Sequence, residues 1–206
     1  MDRSGVEITG LRFQSYHGNE AIAILDDLAR LRIRVFYDFP YLYEGTVEYE
    51  QQYLLRYTAN KESIVFAVWD ADRLVGATTG MPLKFEMEEV RKPFEEIGLN
   101  TASFFYFGES VLLHEYRGKG IGHLFFDVRE KHALLLGYTN TTFCSVVRDG
   151  NHSLRPSVYT DNEKFWSGRG YQKREDLVCK MKWLDRGELL ETEKSLVYFI
   201  KLCRLS

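Results

Sequence analysis

Apolar positions along the chain follow two periods, which separate strand-type runs from helix-type segments. Alternating or continuous apolar, β-branched and aromatic runs predict strands at residues 6–13, 63–69, 74–83, 103–113, 141–147, 177–184 and 195–203. Apolar positions three and four apart predict helices at residues 19–35, 46–57, 121–136 and 161–168. The order is β, α, α, β, β, β, α, β, α, β, β. Because a helix joins them, strands 103–113 and 141–147 are expected to run parallel.

Local signals refine this pattern near the first two helices. Asn19 is expected to cap the first helix and Thr46 the second. Three arginines of the first helix are expected to lie mostly on its solvated face: Arg30, Arg32 and Arg34. Residues 85–100 form an acidic insertion, for which a solvated helix face or a lid is expected, and a role in acceptor choice is the alternative.

A glycine-rich turn precedes the helix at residues 121–136. Three glycines lie within five residues there, namely Gly118, Gly120 and Gly122. Glycine is unfavourable in a helix, so a compensating reason is needed. Unpaired N–H groups and the positive dipole end make a helix N-terminus an anion site, and missing side chains let a phosphate approach. Arg117, Lys119 and His123 would add positive charge for a diphosphate. The alternative is a flexible turn with solvated basic residues.

The spacing of this turn excludes two common phosphate-binding motifs. The Walker string does not occur, and the glycine spacing does not fit the dinucleotide pattern G-x-G-x-x-G. What remains is Arg-x-x-Gly-x-Gly at Arg117, Gly120 and Gly122, behind a hydrophobic strand. With this motif and this element order, the chain resembles the GNAT superfamily of acyl-CoA-dependent N-acetyltransferases over nearly its whole length.

The resemblance implies a fold of mixed α/β (α+β) class, with one domain over residues 1–206. Its central sheet is expected to be mixed but mostly antiparallel, with about seven strands and about four flanking helices. Acetyl-CoA is implied as the co-substrate, with its pantetheine arm in a splayed gap between strands 103–113 and 141–147.

The resemblance also assigns residues to coenzyme A. They are Val111, Leu112 and Leu113 on the strand, Arg117, Gly118, Lys119, Gly120, Ile121, Gly122 and His123 on the turn, and Asn162, Phe165 and Trp166 near the last helix. Backbone groups of the strand are expected to hold pantetheine and polarise the thioester. For Phe165 and Trp166, filling of the core is the alternative.

Acetyl transfer to an amine needs a neutral amine, a polarised carbonyl and a protonated leaving thiolate. Gly108 inside the strand predicts a β-bulge or a close backbone approach. Glu109 beside it is the candidate general base, acting directly or through a water. A carboxylate satisfied by backbone N–H groups at the bulge is the alternative. Because a bulge makes strand parity ambiguous, Tyr106 or Ser110 could face the substrate instead.

The general acid is harder to place. Members of the family often carry Tyr-x-x-x-Gly-Phe near the last helix, whereas this chain has Trp166 at the tyrosine position. An indole N–H does not deliver a proton to sulfur under ordinary conditions. Tyr159 in the preceding loop is the candidate substitute, and water is the alternative.

The segment at residues 36–44 is unusually aromatic for a loop and contains Asp38 and Glu44. Aromatic walls with carboxylates suit a cationic amine. The family often lines its acceptor site with this region. Core packing of the aromatic residues is the alternative.

Composition narrows the function classes. With 206 residues, 45% hydrophobic and 28% charged, the chain suits one globular domain. A net charge of -3 disfavours nucleic acid as a partner. The start lacks the apolar core of a signal peptide, and no apolar run approaches about 20 residues. A cytoplasmic protein without a membrane partner is therefore expected.

Cysteine and histidine spacing gives no sign of a metal. Cys144, Cys179 and Cys203 are odd in number and far apart, which fits neither a disulfide framework nor a zinc cluster. His123 and His132 are nine residues apart, a poor spacing for ligands on one helix. Cys144 lies in an apolar run, where packing is favoured over a nucleophilic role. A homodimer stays open.

The leading hypothesis is an N-acetyltransferase that moves an acetyl group from acetyl-CoA to a primary amine by direct attack in a ternary complex. The acceptor could be a small molecule or a peptide. A non-catalytic acyl-CoA-binding or regulatory module, and an acyltransferase with a longer acyl donor, are the alternatives.

Overall fold

A computed structural model describes residues 10–202. The helices and strands are β1 (Leu11–Tyr16), α1 (Leu25–Phe36), α2 (Val47–Ala59), β2 (Ile64–Asp70), β3 (Arg73–Pro82), α3 (Glu88–Glu96), β4 (Phe104–Leu112), α4 (Ile121–Leu135), β5 (Asn140–Val146), α5 (Glu163–Gly168), β6 (Gln172–Trp183) and β7 (Thr192–Leu202). Within this part of the chain, no helix has the length and apolar character needed to cross a bilayer. Val6, Ile8 and Cys203, which fall in predicted strands, lie outside the described residues.

The seven strands form one sheet in the order β1-β2-β3-β4-β5-β7-β6. All neighbours are antiparallel except β4 and β5, which run parallel as expected from the helix that joins them. The parallel ladder contains only three pairs, from Phe104 with Asn140 to Tyr106 with Thr142. Beyond these pairs β4 and β5 separate, so the sheet carries a gap at its centre. The predicted mixed, mostly antiparallel sheet of seven strands is confirmed.

Helices cover both faces of β4. Arg129 of α4 lies over the ring of Phe107 and donates to Ser110, which places α4 on the face of these two residues. Arg32 of α1 pairs with Glu109, which places α1 on the opposite face. The centre of β4 is therefore buried between helices of both layers.

Most local signals hold, and one capping expectation is wrong. Thr46 caps α2, where its Oγ1 accepts from the N–H of Tyr49 at 3.3 Å. Asn19 does not cap the first helix, because a 3₁₀ turn at Gly18–Ile24 comes before α1 and has His17 as its N-cap. The Glu20 side chain accepts from the N–H of His17 at 2.9 Å, which fixes the earlier start.

The expected solvated charges are found, with two buried exceptions. Arg30 and Arg34 are exposed as expected for most of the three arginines, whereas Arg32 is 6% exposed. The acidic insertion contains α3, one helix more than the four predicted. Glu86, at the start of the same insertion, is 4% exposed because it pairs with Arg56. Both side chains turn inward because partners of opposite charge are buried with them.

Candidate active site in the gap between two strands

The turn before α4 has the backbone shape that its glycines allow. Gly118 and Gly120 adopt φ of +75° and +84°, a left-handed region that other residues enter only with strain. Gly120 is the N-cap of α4, and Gly122 lies in its first turn. The first N–H groups of α4 have no acceptor within the helix, as at any helix N-terminus, so they can bind an anion, and the turn joins them to the end of β4.

Side chains of the turn are exposed and lie over its surface. Arg117 Nε donates to the carbonyl of Leu112 at 3.2 Å. Lys119 Nζ lies 5.1 Å from the centre of the Tyr116 ring. Both cations therefore lie on the turn that leads into α4.

Backbone groups of β4 alternate between β3 and the gap. The N–H of Leu113 donates to Val75 of β3 at 3.0 Å, and Glu109 directs both its N–H and its carbonyl to β3 threonines. In an antiparallel ladder every second residue faces the other side. The N–H groups of Ser110 and Leu112 consequently point toward β5, where the parallel pairing has ended.

The three residues near α5 that were assigned to coenzyme A lie in different surroundings. Phe165 packs edge-on against His123, with centroids 4.8 Å apart, and so touches the first turn of α4. Trp166 packs on Phe143 and Phe199 at 5.0 and 4.7 Å, as a partly buried residue at the edge of the core. Asn162 is exposed at the N-cap of α5.

A β-bulge lies at the middle of β4, as the glycine predicted. Thr78 pairs with Ser110 and Gly80 pairs with Phe107, so Thr79 alone faces Gly108 and Glu109. A Cβ at position 108 would lie 2.0 Å from the Tyr57 hydroxyl. The bulge is thus shaped by a side chain of α2 that needs glycine beneath it.

The bulge directs the Glu109 carboxylate into a buried ionic group beneath α1 and α2. Arg32 Nη1 lies 2.5 Å from Glu109 Oε2, and its Nε donates to Glu50. The contact with Glu109 is an ion pair without good hydrogen-bond geometry, and Oε1 of Glu109 has no partner among residues 10–202. Burial would lower the pKa of Arg32, but Glu109 and Glu50 raise it well above its usual range. Arg32 is therefore a permanent cation.

A second ion pair continues this group along α2. Arg56 Nη1 donates to Glu86 at 3.0 Å, and the Tyr57 hydroxyl donates to the same carboxylate at 3.2 Å. The Tyr53 ring contacts both guanidiniums, with Arg32 at 4.3 Å and Arg56 at 4.1 Å from its centre. The aromatic ring separates the two cations and contacts both through its π-face.

Comparisons with known proteins bear on the fold. No sequence-family model matches the chain, and no curated protein is detectably similar in sequence. Solved structures do match over nearly the whole length. The protein yncA of Salmonella typhimurium, solved with its cofactor acetyl-CoA, is 7% identical, with 96% of each chain covered and a TM-score of 0.58. A Desulfovibrio desulfuricans protein assigned to the GNAT family is 11% identical, covering 94% of this chain and 99% of that one, with a TM-score of 0.57.

Arabidopsis thaliana NAA60, solved with a bisubstrate analogue, is 12% identical and covers 95% of this chain and 100% of its own, with a TM-score of 0.58. The chain has the GNAT fold. At these identities the likeness concerns the fold alone, so the chemistry of the site has to be argued from its residues.

Within the GNAT fold, the predicted acid lies in a separate loop. Tyr159 packs edge-on against Phe39 at 4.7 Å and lies under Arg155, at 4.8 Å from the guanidinium. Burial raises the pKa of Tyr159 above its ordinary value. Its contacts join the loop after β5 to the aromatic segment at residues 36–44.

Cys144 of β5 packs beside Tyr106 and Cys179 and is held as a neutral thiol. Its Sγ lies 3.1 Å from the Tyr106 hydroxyl and 4.0 Å from Cys179 Sγ. The contact with Cys179 and burial raise the pKa of Cys144 well above its usual range. A thiol that stays protonated is a poor nucleophile, which favours direct attack over a covalent enzyme intermediate.

Sequence reasoning missed three charged residues of the site, namely Arg32, Glu50 and Arg129. Each interrupts an apolar helical stripe, since Arg32 follows Leu28 by four positions and Arg129 follows Phe125 by four. A charge on an apolar stripe signals a buried partner, and this signal could have found them. Among residues 10–202 no group of three potential ligands lies close enough to hold a metal ion.

Proposed function

We propose that the chain is an acyltransferase that binds acetyl-CoA in the gap between β4 and β5 and acetylates a primary amine. One observation carries the proposal: the parallel ladder stops after Tyr106, on the strand that leads through a glycine turn into the N-terminus of α4. A narrow gap with free backbone N–H groups suits a pantetheine arm, and the helix end suits its pyrophosphate. The fold shared with yncA, which carries acetyl-CoA, supports this assignment.

In the proposed reaction, the amine nitrogen attacks the thioester carbon while both substrates are bound. The new C–N bond forms, the carbonyl electron pair moves to oxygen, and its return breaks the C–S bond. Glu109 takes the proton that the amine loses, through its unpartnered Oε1, and the leaving thiolate takes a proton from solvent or from Tyr159.

Coenzyme binding is tested at the turn. Gly120→Asp and Arg117→Glu place negative charge where the diphosphate is expected, so calorimetry should show loss of acetyl-CoA binding. Arg174→Glu makes the same charge change on the edge strand β6 and should bind as the parent does. Unchanged binding in both turn variants would remove the phosphate assignment.

Catalysis is tested at Glu109. Glu109→Gln keeps the shape of the side chain and should lower kcat about a hundredfold, with an unchanged Kd for acetyl-CoA. A screen of small amines and peptides, followed by free thiol release, identifies the acceptor. Full turnover in the Gln variant would rule Glu109 out as the base.

A non-catalytic acyl-CoA-binding module is the second candidate, and the placement of Trp166 favours it. The partly buried indole packs against Phe143 and Phe199, and an indole offers no acid to the gap. Thiol release that requires an added amine separates the two candidates. Acyl-CoA donors of increasing length in the same assay test for a longer acyl group.

A further inference from the structure

Arg129 of α4 is a buried cation that the proposed reaction has not yet used. The residue is 2% exposed, and its guanidinium lies over the Phe107 ring at 4.2 Å. Nη1 donates to the carbonyls of Thr79 at 3.3 Å and Glu109 at 3.2 Å, and Nη2 donates to Ser110 Oγ at 3.0 Å. Every hydrogen-bond acceptor found for this guanidinium in residues 10–202 is a neutral oxygen.

A charge held this way is costly, because desolvation is offset only by carbonyl dipoles and an aromatic face. Burial lowers the pKa of Arg129 to about 10, which still leaves it a cation at neutral pH. Across β4, the ionic group holds three carboxylates and two guanidiniums, Glu50, Glu86 and Glu109 with Arg32 and Arg56. The two guanidiniums leave one negative charge of this group unbalanced. Arg129, on the other face of β4, carries the compensating positive charge, and the β4 backbone lies between the two.

The peptide between Glu109 and Ser110 lies between Arg129 and the gap. Its carbonyl accepts from Arg129 and from Thr78 Oγ1, the latter at 2.7 Å. The N–H of the same peptide belongs to Ser110 and points the opposite way, toward β5. A cation and a hydroxyl on the carbonyl oxygen orient the peptide and withdraw electron density, which makes the N–H a stronger donor.

We propose that Arg129 is a positioning residue that polarises the Glu109–Ser110 peptide, so that the Ser110 N–H binds the thioester carbonyl oxygen in the gap. The inference rests on the proposed function, because the oxygen is that of acetyl-CoA. Negative charge develops there when the amine attacks, and an oriented donor stabilises it most in the transition state. Arg129 thereby contributes to the reaction through the β4 backbone, without touching the substrate itself.

The test compares three variants by the carbonyl stretch of bound acetyl-CoA labelled with ¹³C at the carbonyl. Arg129→Met removes the charge at similar length, Arg129→Lys keeps the charge with fewer donors, and Arg174→Met removes an arginine of β6 from an exposed ion pair, as the matched control. In the parent and in Arg174→Met the stretch should lie below that of free acetyl-CoA. The stretching frequency should rise most of the way to the value of free acetyl-CoA in Arg129→Met, and part of the way in Arg129→Lys.

Kinetics give a second measurement. Arg129→Met should lower kcat about tenfold while the Kd for acetyl-CoA stays within about twofold. The weaker Ser110 N–H donor destabilises the oxyanion of the transition state more than the bound thioester. A role in folding alone would leave the carbonyl frequency of bound ligand unchanged, and that result overturns the proposal. If Arg129→Met fails to fold, the Lys variant decides by the same frequency. Failure of the parent to bind acetyl-CoA would instead contradict the proposed function.

Discussion

At the scale of single residues, Gly108 and Tyr57 form the tightest contact of the candidate site. A Cβ at position 108 would lie 2.0 Å from the Tyr57 hydroxyl and 2.6 Å from Thr79 Oγ1. The Tyr57 hydroxyl is held in place by Glu86 at 3.2 Å, so it cannot move without loss of that bond. The bulge that carries Glu109 therefore requires glycine at position 108, because there is no room for a side chain.

We expect Gly108→Ala to lower the free energy of unfolding by about 1–3 kcal/mol, the usual cost of overpacking a buried position. Tyr57→Phe removes the clashing oxygen, so the double variant should be less destabilised than the sum of the two single variants by more than about 0.5 kcal/mol. Denaturant unfolding of the four proteins measures this coupling. Additive effects would mean that the Tyr57 hydroxyl does not restrict position 108.

Single residues also show what could be predicted from sequence. The bulge was predictable, because a glycine inside an apolar strand run usually marks a bulge or a close backbone approach. The partner of Glu109 was not predictable, because Arg32 lies 77 positions earlier and only the packing of α1 on the sheet brings the two residues together. The same holds for Glu86, whose charge looked solvated within an acidic segment but is neutralised by Arg56 of another helix.

At the scale of elements, α4 carries different chemistry at its two ends. Its N-terminus opens toward the gap between β4 and β5, whereas its last turn packs His132 against other elements. His132 Nε2 lies 2.9 Å from the carbonyl of Glu62, and its ring lies 5.0 Å from that of His17. Burial lowers the pKa of His132 below its usual value of 6.5.

A lowered histidine pKa makes stability depend on pH in a fixed direction. Above about pH 6.5, His132 is neutral in both the folded and unfolded states and the full stability is present. As the pH falls toward the lowered pKa, the unfolded state binds a proton first and the folded state loses stability. We expect His132→Gln to lose less stability than the parent between pH 7.5 and pH 5.5, measured by urea unfolding at each pH.

His114→Gln is the matched control, because His114 is exposed just after β4. Its stability should follow the parent at every pH. A parent-like acid loss in His132→Gln would show that burial of His132 does not cause the loss.

Elements were predicted well where the pattern is local and poorly where length depends on a neighbour. The hairpin of β2 and β3 follows from two apolar runs around a polar turn, and it forms as expected. β6 begins at Gln172, five residues before the apolar run at 177, because it pairs with β7 across a bulge between Arg174 and Val178. Pairing with β7 thus makes a strand of the polar residues that precede the apolar run, although their composition disfavours a strand.

At the scale of the whole molecule, the sheet consists of two parts joined by a short ladder. β1 to β4 and β5 to β7 share only the three pairs at the start of β4. Side chains add further links, since the Tyr198 hydroxyl donates to Val90 at 2.6 Å and Trp183 Nε1 donates to Tyr41 at 3.1 Å. Contacts outside the central ladder therefore also join the second part of the sheet to other elements.

Arg148, just after β5, makes the largest set of these links. Nε donates to the carbonyl of Pro40 at 2.7 Å, and Nη2 donates to that of Tyr41 at 2.5 Å. Both Nη atoms also bind Asp185, at 2.7 and 2.8 Å. One planar guanidinium thus ties the second part of the sheet to the segment at residues 36–44, in a way that lysine cannot reproduce.

We expect Arg148→Met to lower the free energy of unfolding by about 1–3 kcal/mol, because two carbonyls lose their donor and Asp185 keeps only Lys194, at 3.3 Å. If acetyl-CoA binds the folded state only, a concentration of one hundred times its Kd should add about 2.7 kcal/mol to the parent and to Arg148→Met alike. Arg174→Met removes an exposed pair with Asp176 on one strand and should change stability by less than about 1 kcal/mol. Equal effects of the two variants would mean that Arg148 does not hold the two parts together.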